Sequence, residues 1–195
     1  MRSLLAFSMV ILLAVPAFAQ EETLLDTEIQ SGGYGGPEVK ISPMLGATGI
    51  LVGGRGGWMI NHAFMIGGAG YGLVNDIRVN NVTVNGRPAF LGFGYGGLAL
   101  EYTGNYEKLV HYTVGLMIGG GGVEYRDSIY NFHDENWDAV FVLEPSVGVE
   151  MNITTFFRFG VGVSYRYVSG VNTFGLTNKD LSNATATITL KFGTF

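Results

Sequence analysis

Residues 156–168, with the sequence FFRFGVGVSYRYV, alternate between two kinds of side chain. The apolar and aromatic set is Phe157, Phe159, Val161, Val163, Tyr165 and Tyr167. The small or cationic set is Arg158, Gly160, Gly162, Ser164 and Arg166. Because successive side chains of a β-strand point to opposite faces, this stretch predicts a strand with one fully apolar face.

The same alternation recurs along the rest of the chain. It predicts further strands at residues 36–42, 48–60, 64–73, 90–102, 110–118, 139–151 and 183–195, although the faces of 64–73 are not distinguished. After the first 20 residues no stretch of 18 apolar residues occurs, so a helical membrane protein is excluded. An apolar outer face with a polar inner face is typical of transmembrane barrels. We therefore predict an all-β fold, an eight-stranded antiparallel up-and-down transmembrane β-barrel over residues 34–195.

The composition excludes several other classes of protein. The chain has 195 residues, 47% of them hydrophobic and 14% charged, with 31 Gly and no Cys. This apolar content argues against a disordered chain, and the absence of Cys excludes a disulfide scaffold, a thiol nucleophile and a Cys-ligated metal. The net charge of −5 offers no basic surface for nucleic acid. We expect no cofactor.

The first segment has the pattern of a signal peptide. Arg2 precedes an apolar run, and Ala17-Phe18-Ala19 forms an A-x-A cleavage site. The apolar run has about 14 residues, which is too short for the roughly 20 of a membrane-spanning helix. We predict that residues 1–19 are a signal peptide and that residues 20–33 are a polar, acidic periplasmic leader.

The connections alternate between short and long from the second strand onward. Residues 61–63 and 152–155 are short, whereas residues 74–88, 126–138 and 169–182 are long. Outer-membrane barrels have short periplasmic turns and longer outer loops, so the chain is predicted to lie in the bacterial outer membrane with both ends in the periplasm. Aromatic residues near the strand ends predict interfacial girdles; they are Tyr34, Trp58, Phe64, Tyr102, Tyr125, Phe156 and Tyr167.

The inner faces of the predicted strands carry charges. They are Glu38, Lys40, Arg55, Glu101, Glu144, Glu150, Arg158, Arg166 and Lys191. An eight-stranded barrel is just wide enough for side chains to fill it, and an unpaired buried ion costs several kcal/mol. We therefore predict a lumen filled by paired charges. A narrow pore whose ion pairs rearrange is the alternative.

Candidate catalytic and metal-binding residues are few. His62 falls in a turn, His111 on a strand face with Thr113, and His133 in an acidic loop with Asp134 and Ser128 nearby. The carboxylates that could hold a divalent cation are Asp127, Asp134, Glu135 and Asp138. A solvated outer loop explains the same residues, so we assign no catalytic, cofactor or metal residue.

The signal ending at Ala19, the alternating strands and the terminal LKFGTF resemble the small eight-stranded outer-membrane barrels of Gram-negative bacteria, the OmpA/OmpX-type group. The resemblance implies contact with outer-membrane lipid and lipopolysaccharide. It also implies that the barrel-assembly machinery reads Phe195. In that group apolar residues alternate back from the final Phe, whereas Gly193 and Lys191 hold those places here. A bulge near Gly193 would restore the phase.

The sequence is compatible with four functions. A structural or surface-interaction barrel is the first, and a narrow gated porin-like channel is the alternative. A lipid-modifying enzyme is less favoured, because residues 61–64 (NHAF) and 110–113 (VHYT) do not match the H-x-S-N context of lipid A deacylases. A soluble lipocalin-like barrel is the fourth. No residue indicates a ligand or an oligomeric state.

Overall fold

A computed structural model describes residues 30–195 except 85, 129–130, 133–136 and 174, and it leaves undescribed the side chains of 81, 127, 128, 131 and 132. The predicted signal peptide and nearly all of the predicted leader lie outside the described residues. So do His133, Asp134 and Glu135 of the acidic loop.

Strands dominate the described chain. They are β1 (Ser31–Met44), β2 (Ala47–Ile60), β3 (Phe64–Leu73), β4 (Arg78–Val84), β5 (Arg87–Gly104), β6 (Val110–Ser128), β7 (Asn131–Phe132), β8 (Asp138–Asn152), β9 (Phe157–Ser169) and β10 (Asn183–Thr194). A single turn of helix, α1 (Asn178–Leu181), precedes β10. Among the described residues no helix is long and apolar enough to cross a membrane.

Eight of these strands form a closed barrel. Around the wall the order is β5, β3, β2, β1, β10, β9, β8 and β6, and the pairing of β5 with β6 closes the ring. Every pairing in the ring is antiparallel. Each barrel strand pairs with the barrel strand that comes next along the chain, and β1 pairs with β10, the last strand. The predicted eight-stranded antiparallel up-and-down barrel is confirmed.

Two of the three predicted long loops are partly strands. β4 lies within 74–88 and pairs with the first residues of β5, and within 126–138 β6 continues to Ser128 and pairs with the two-residue β7. The sequence of β4, RVNNVTV, is rich in the β-branched residues that favour strands, which explains why the hairpin stays paired beyond the barrel wall. Residues 31–33, expected in the leader, already belong to β1.

The barrel has two distinct ends. We call the turn end the one that holds Ser31, Thr194 and the connections 61–63, 105–109 and 153–156. We call the loop end the opposite one, which holds residues 45–46, residues 74–77 with β4, the ends of β6 and β8 at Ser128 and Asp138, and residues 170–182 except 174.

The predicted division of faces holds along the strands. On β10, Ile188 and Phe192 are exposed, whereas Thr189 and Lys191 are buried. β3, whose faces the sequence left open, points Met65 and Tyr71 inward. The prediction that Tyr34 and Tyr125 belong to the interfacial girdles is wrong, because both side chains are buried inside the barrel. Their positions in the alternation place them on the inner face.

The loop-end half of the interior holds an apolar core. Buried barrel residues such as Leu51, Leu91 and Val142 pack there against side chains from the connections, namely Ile77, Val79, Leu176 and Leu181. We call this set the loop-end cluster. A second, smaller cluster at the turn end contains Tyr34, Met59, Met65 and Ala99, with Phe195 packed against it. The charged residues lie between these two apolar layers.

Candidate functional site

The nine predicted lumen charges all lie on the inner face of the barrel. Eight of them are buried residues, and the side chain of the ninth, Arg55, is only 10% exposed. Strand parity places them there, because each shares its face with the small inward residues rather than with the apolar outward ones.

A chain of ion pairs links five strands across the lumen. Arg55 on β2 joins Glu38 on β1 to Glu101 on β5, with N–O distances of 3.0 Å to each carboxylate. Lys191 on β10 contacts both Glu101 and Glu150, the latter on β8. Each cation in this chain therefore bridges two carboxylates.

Hydroxyl groups complete the coordination of these carboxylates. The Tyr34 hydroxyl donates to Glu101 at 2.9 Å, and the Thr189 hydroxyl donates to Glu38 at 2.7 Å. The Tyr71 hydroxyl also donates to Glu38. Buried ions are tolerated when their remaining lone pairs are satisfied, so these neutral donors help to hold the carboxylates inside the wall.

A second ion pair lies closer to the loop end. Lys40 Nζ is 2.8 Å from Glu144 Oε1, and both side chains are almost fully buried. Glu144 also accepts hydrogen bonds from the hydroxyls of Tyr95 at 2.7 Å and Ser164 at 2.5 Å. The Lys40 ammonium sits 3.6 Å from the centre of the Tyr71 ring, a cation–π contact.

Two of the nine charges have no ion pair with any described residue, which corrects the expectation that all would be paired. Arg166 donates to the Leu181 carbonyl at 2.9 Å and to the Ser42 hydroxyl at 3.1 Å. Arg158 places its guanidinium carbon 3.9 Å from the centre of the Phe195 ring, and its Nε and Nη1 atoms have no hydrogen-bond partner in the part of the chain that the structure describes. Neutral acceptors and aromatic rings take the place of carboxylates at these two positions.

The charges are layered along the barrel axis. The ion-paired residues of the predicted set are four carboxylates and the three cations Lys40, Arg55 and Lys191, whose formal charges sum to −1. Arg158 lies at the turn end of β9, and Arg166 lies toward its loop end. Across the nine residues, positive charge therefore flanks a slightly negative centre.

His111 belongs to this lumen although it was absent from the predicted set. Its Nε2 lies 3.5 Å from Glu150 Oε2, within the distance of an ion pair, and neither atom makes a hydrogen bond to another described residue. The signal was in the sequence, because His111 shares the inward face of Thr113. His62, in contrast, lies in a turn beside Gln30 and stacks on the ring of Tyr106.

Arg126 is a structural residue that the sequence reasoning missed. Its side chain is 5% exposed and donates to the carbonyls of Leu91 at 3.2 Å and Asn75 at 3.4 Å. It also lies 3.5 Å from the carboxylate of Asp76. A loop position was expected for residue 126, whereas it lies in β6 and fastens the connection 74–77 to the barrel wall.

The described interior leaves little empty space. A cavity of about 40 Å³ lies beside the ion pairs, against the inner faces of β8 and β9. A water molecule needs roughly 10–15 Å³ of such volume, so the cavity holds only a few. The loop-end cluster closes the barrel beyond it.

The C-terminal Phe195 continues the inward phase of β10. The register between β1 and β10 is the same from Gly33↔Thr194 to Ile41↔Ala186, so the expected bulge near Gly193 does not occur in these fully described strands. The Phe195 ring contacts Arg158 and lies 5.8 Å from the ring of Tyr34. Phe192, three residues earlier and therefore on the other face of β10, is the aromatic residue that points outward.

The described residues contain no group of three or more metal-binding side chains. Asp138, one of the candidate carboxylates, instead accepts hydrogen bonds from the Asn172 N–H and the Thr173 hydroxyl. Of Asp127 only the backbone is described.

The closed eight-stranded wall, the apolar exterior and the filled interior define a small transmembrane β-barrel. No family model and no curated protein sequence matches the chain. Several solved structures share its fold. Neisserial surface protein A superposes with a TM-score of 0.57 at 14% identity, covering 86% of this chain and 98% of that one.

Two structures from Pseudomonas aeruginosa are similar at the same level. The N-terminal β-barrel domain of OprF has a TM-score of 0.52 and 11% identity, with 85% of this chain and 99% of that chain covered. The outer membrane protein OprG also has a TM-score of 0.52 and 11% identity, covering 84% and 95%. The similarity shows that the chain has the fold of small outer-membrane eight-stranded barrels.

Proposed function

We propose that this protein is a bacterial outer-membrane β-barrel with a sealed lumen and a structural or surface-interaction role. The observation that carries the proposal is the filled interior, in which an ion-paired layer lies beneath the loop-end cluster. A barrel closed in this way is a rigid support for the connections at its loop end. The outward apolar side chains of β9, including Val161 and Val163, supply the lipid-facing surface.

The partners proposed for this role are outer-membrane lipid and lipopolysaccharide, with the barrel-assembly machinery acting during insertion. The exposed aromatics at the turn end, among them Phe64, Tyr102 and Phe156, support an interfacial position in a bilayer. The inward phase of Phe195 makes Phe192 the better candidate for an aromatic recognised from the lipid side.

Single-channel recording tests the sealed lumen. Mature chain refolded into a planar bilayer is expected to give no discrete conductance steps, while a shift in gel mobility on heating demonstrates that the protein is folded. Reproducible steps of one size from the folded protein would refute the sealed lumen.

A narrow gated channel is the second candidate, and the incomplete pairing of the lumen favours it. Arg158 has no carboxylate partner among the described residues, and the His111–Glu150 pair is long at 3.5 Å, although Glu150 is also paired with Lys191; a small movement of Arg158 or His111 would exchange these contacts. For a channel of this kind, conductance steps should change in size when Glu150 is replaced by Gln. An Asp180→Asn variant, altered in the exposed loop-end helix, is the matched control.

We propose a non-enzymatic role on the ground that the described histidines do not assemble with a nucleophile. His111 contacts Glu150 and the Lys108 carbonyl, and His62 contacts Gln30. Incubation of the purified protein with lipid A is expected to leave the lipid unchanged. Modified lipid that disappears in a His133→Ala variant would contradict this proposal.

A further inference from the structure

An open cavity of about 330 Å³ lies on the outer wall of the barrel, near the loop end. Its floor is formed by Gly72 on β3, Gly94 on β5 and Gly122 on β6, which are direct cross-strand neighbours. Along their strands these glycines alternate with buried inward residues such as Tyr71 and Tyr95, so strand parity places them on the outer face. The cavity therefore opens outward and is separate from the lumen.

Two side chains form the sides of this cavity. The indole nitrogen of Trp137 lies where a Cβ of Gly122 would stand, and the Glu124 side chain covers Gly92 in the same way. Over Gly72, in contrast, no described atom lies within 4 Å of the Cβ position, and at Gly94 the nearest is a backbone oxygen 3.4 Å away. The floor between Trp137 and Glu124 is therefore open.

The floor continues toward the turn end as a trough without side chains. The next outward positions on the same three strands are again glycines, Gly70, Gly96 and Gly120, and these are also cross-strand neighbours. The two rows of glycine are about 7 Å apart along the strands. Exposed apolar side chains border the trough, namely Val52, Leu98, Ile118 and Phe141. Bare backbone within a strand often marks the close approach of a ligand or of another chain.

The shape of the site favours a hydrocarbon chain over a second barrel. Its volume is at the lower end of the roughly 300–1,000 Å³ of ligand pockets. A second copy of this chain would present a convex wall, which cannot enter the recess between Trp137 and Glu124. A flexible acyl chain can follow both the recess and the trough that extends from it.

The polar rim of the cavity is acidic. Glu124 and Arg126 both border it, and Arg126 already lies 3.5 Å from the carboxylate of Asp76, so the three formal charges sum to −1. In the sequence, residues 124–138 carry five acidic residues and one basic residue. Such a field disfavours an anionic headgroup. A carboxylate beside the exposed indole of Trp137 instead suits an ammonium group, through charge and through a cation–π contact.

We propose that this outer site binds one ethanolamine phospholipid. Its acyl chain lies in the trough, its ammonium group lies beside Glu124 and Trp137, and its phosphate is directed toward Arg126. The proposal deepens the lipid contact of the proposed function and rests on its bilayer location, not on the sealed lumen. Lipid A, whose phosphates are anionic, is the less favoured occupant.

The two tryptophans of the chain report the site and the surrounding lipid separately. In a Trp58→Phe variant the fluorescence comes from Trp137 at the site. In a Trp137→Phe variant it comes from Trp58, which is exposed on the outer face of β2 near the turn end. Each variant is folded into vesicles of phosphatidylglycerol in which a small fraction of the lipid has brominated chains, because bromine quenches an indole that it contacts. Brominated phosphatidylethanolamine is compared with brominated phosphatidylglycerol.

We expect Trp137 to be half quenched at a mole fraction of brominated phosphatidylethanolamine about two- to fivefold lower than that of brominated phosphatidylglycerol, the equivalent of one exposed cation–π contact. Trp58 should show no difference. Equal quenching of Trp137 by the two lipids would overturn the proposal.

Substitutions at the site test its two parts. Gly72→Leu fills the floor and should abolish the preference at Trp137, whereas Gly35→Leu, at an outward glycine of β1 with similarly open surroundings, should keep it. Folding of each variant is checked by heat-dependent gel mobility. If Gly72→Leu does not fold, Glu124→Gln provides the test, because it removes the carboxylate and should reduce the preference. An unchanged preference in Glu124→Gln would overturn the headgroup assignment.

Three outcomes would identify a different occupant or a different failure. Relief of Trp137 quenching by unlabelled lipid A at a lower mole fraction than by unlabelled phosphatidylethanolamine would overturn the assignment to an ethanolamine phospholipid. Loss of quenching as the number of barrels per vesicle rises would place a second copy in the trough and would also overturn it. Absence of Trp58 quenching by either brominated lipid would refute the bilayer location itself, whereas quenched Trp58 with an indifferent Trp137 would refute the site alone.

Discussion

The Lys40–Glu144 ion pair provides a quantitative test of how the lumen stabilises the barrel. Its atoms are 2.8 Å apart, and the side chains are 3% and 2% exposed. Replacing Glu144 with Leu leaves the Lys40 ammonium and two hydroxyl donors without their acceptor. Removing one partner of a buried pair typically costs about 3–5 kcal/mol, so Glu144→Leu should lower the free energy of unfolding by that amount.

Replacing Lys40 with Met is expected to cost less. Glu144 then keeps its hydrogen bonds from Tyr95 and Ser164, so the loss should be nearer about 1.5–3 kcal/mol, the contribution of one charge-assisted hydrogen bond. In the double variant no charge is left unpaired. Its destabilisation should therefore be smaller than the sum of the single values by about 1–3 kcal/mol.

Urea-induced unfolding in lipid vesicles measures these values through tryptophan fluorescence. Trp58 and Trp137 are both on the outside, 48% and 57% exposed, and report the loss of the lipid environment. The exposed residue Lys179 provides the matched control, since Lys179→Met should stay within about 0.5 kcal/mol of wild type. If the Lys40 and Glu144 effects add within about 0.5 kcal/mol, the direct pairing described above is wrong.

Three further predictions use the same unfolding assay. Arg158→Met should change the free energy of unfolding by less than about 1 kcal/mol, because no described carboxylate loses its partner. Arg166→Met should cost about 2 kcal/mol, because the Leu181 carbonyl and the Ser42 hydroxyl lose their donor. Equal losses for the two variants would contradict this. Gly97→Ala should cost about 1–3 kcal/mol, because the new Cβ would clash with the carbonyl oxygen of Ile118 on β6. Gly72→Ala should be neutral or slightly stabilising, because no atom lies within 4 Å of its Cβ position. Leu181→Ala should cost about 2–5 kcal/mol if the loop-end cluster is a packed core, and a loss below 1 kcal/mol would show that it is not.

The fold was predictable because it rests on a period of two. In residues 156–168 the alternation alone separates Val163, which faces outward, from Ser164, which faces inward. The inward position of every predicted charge follows from the same rule, since a strand cannot rotate one side chain to the other face without shifting them all. Strand parity therefore predicted position without any information about partners.

Contacts between distant strands were not predictable in the same way. Whether Arg158 would meet a carboxylate depends on which side chains stand opposite it across the lumen, and the stagger of the barrel decides that. The packing of the loop-end cluster was not predictable for another reason. Its residues Ile77 and Leu176 lie between barrel strands, where apolar character has no period to interpret, so their packing over the lumen was visible only in three dimensions.

The pairing of β1 with β10 imposes an order on how the molecule forms. Gly33 and Thr194 are partners across nearly the whole barrel, and theirs is the longest sequence separation of any strand pairing among the described residues. Until β10 is in place, β1 and β9 each present an edge whose backbone groups have no partner in lipid, where such groups cost several kcal/mol each. Contacts between distant parts of a chain slow folding. Insertion should therefore behave as one cooperative event whose rate depends on the last strand, and a chain lacking β10 should remain accessible to protease when the complete chain has become protected.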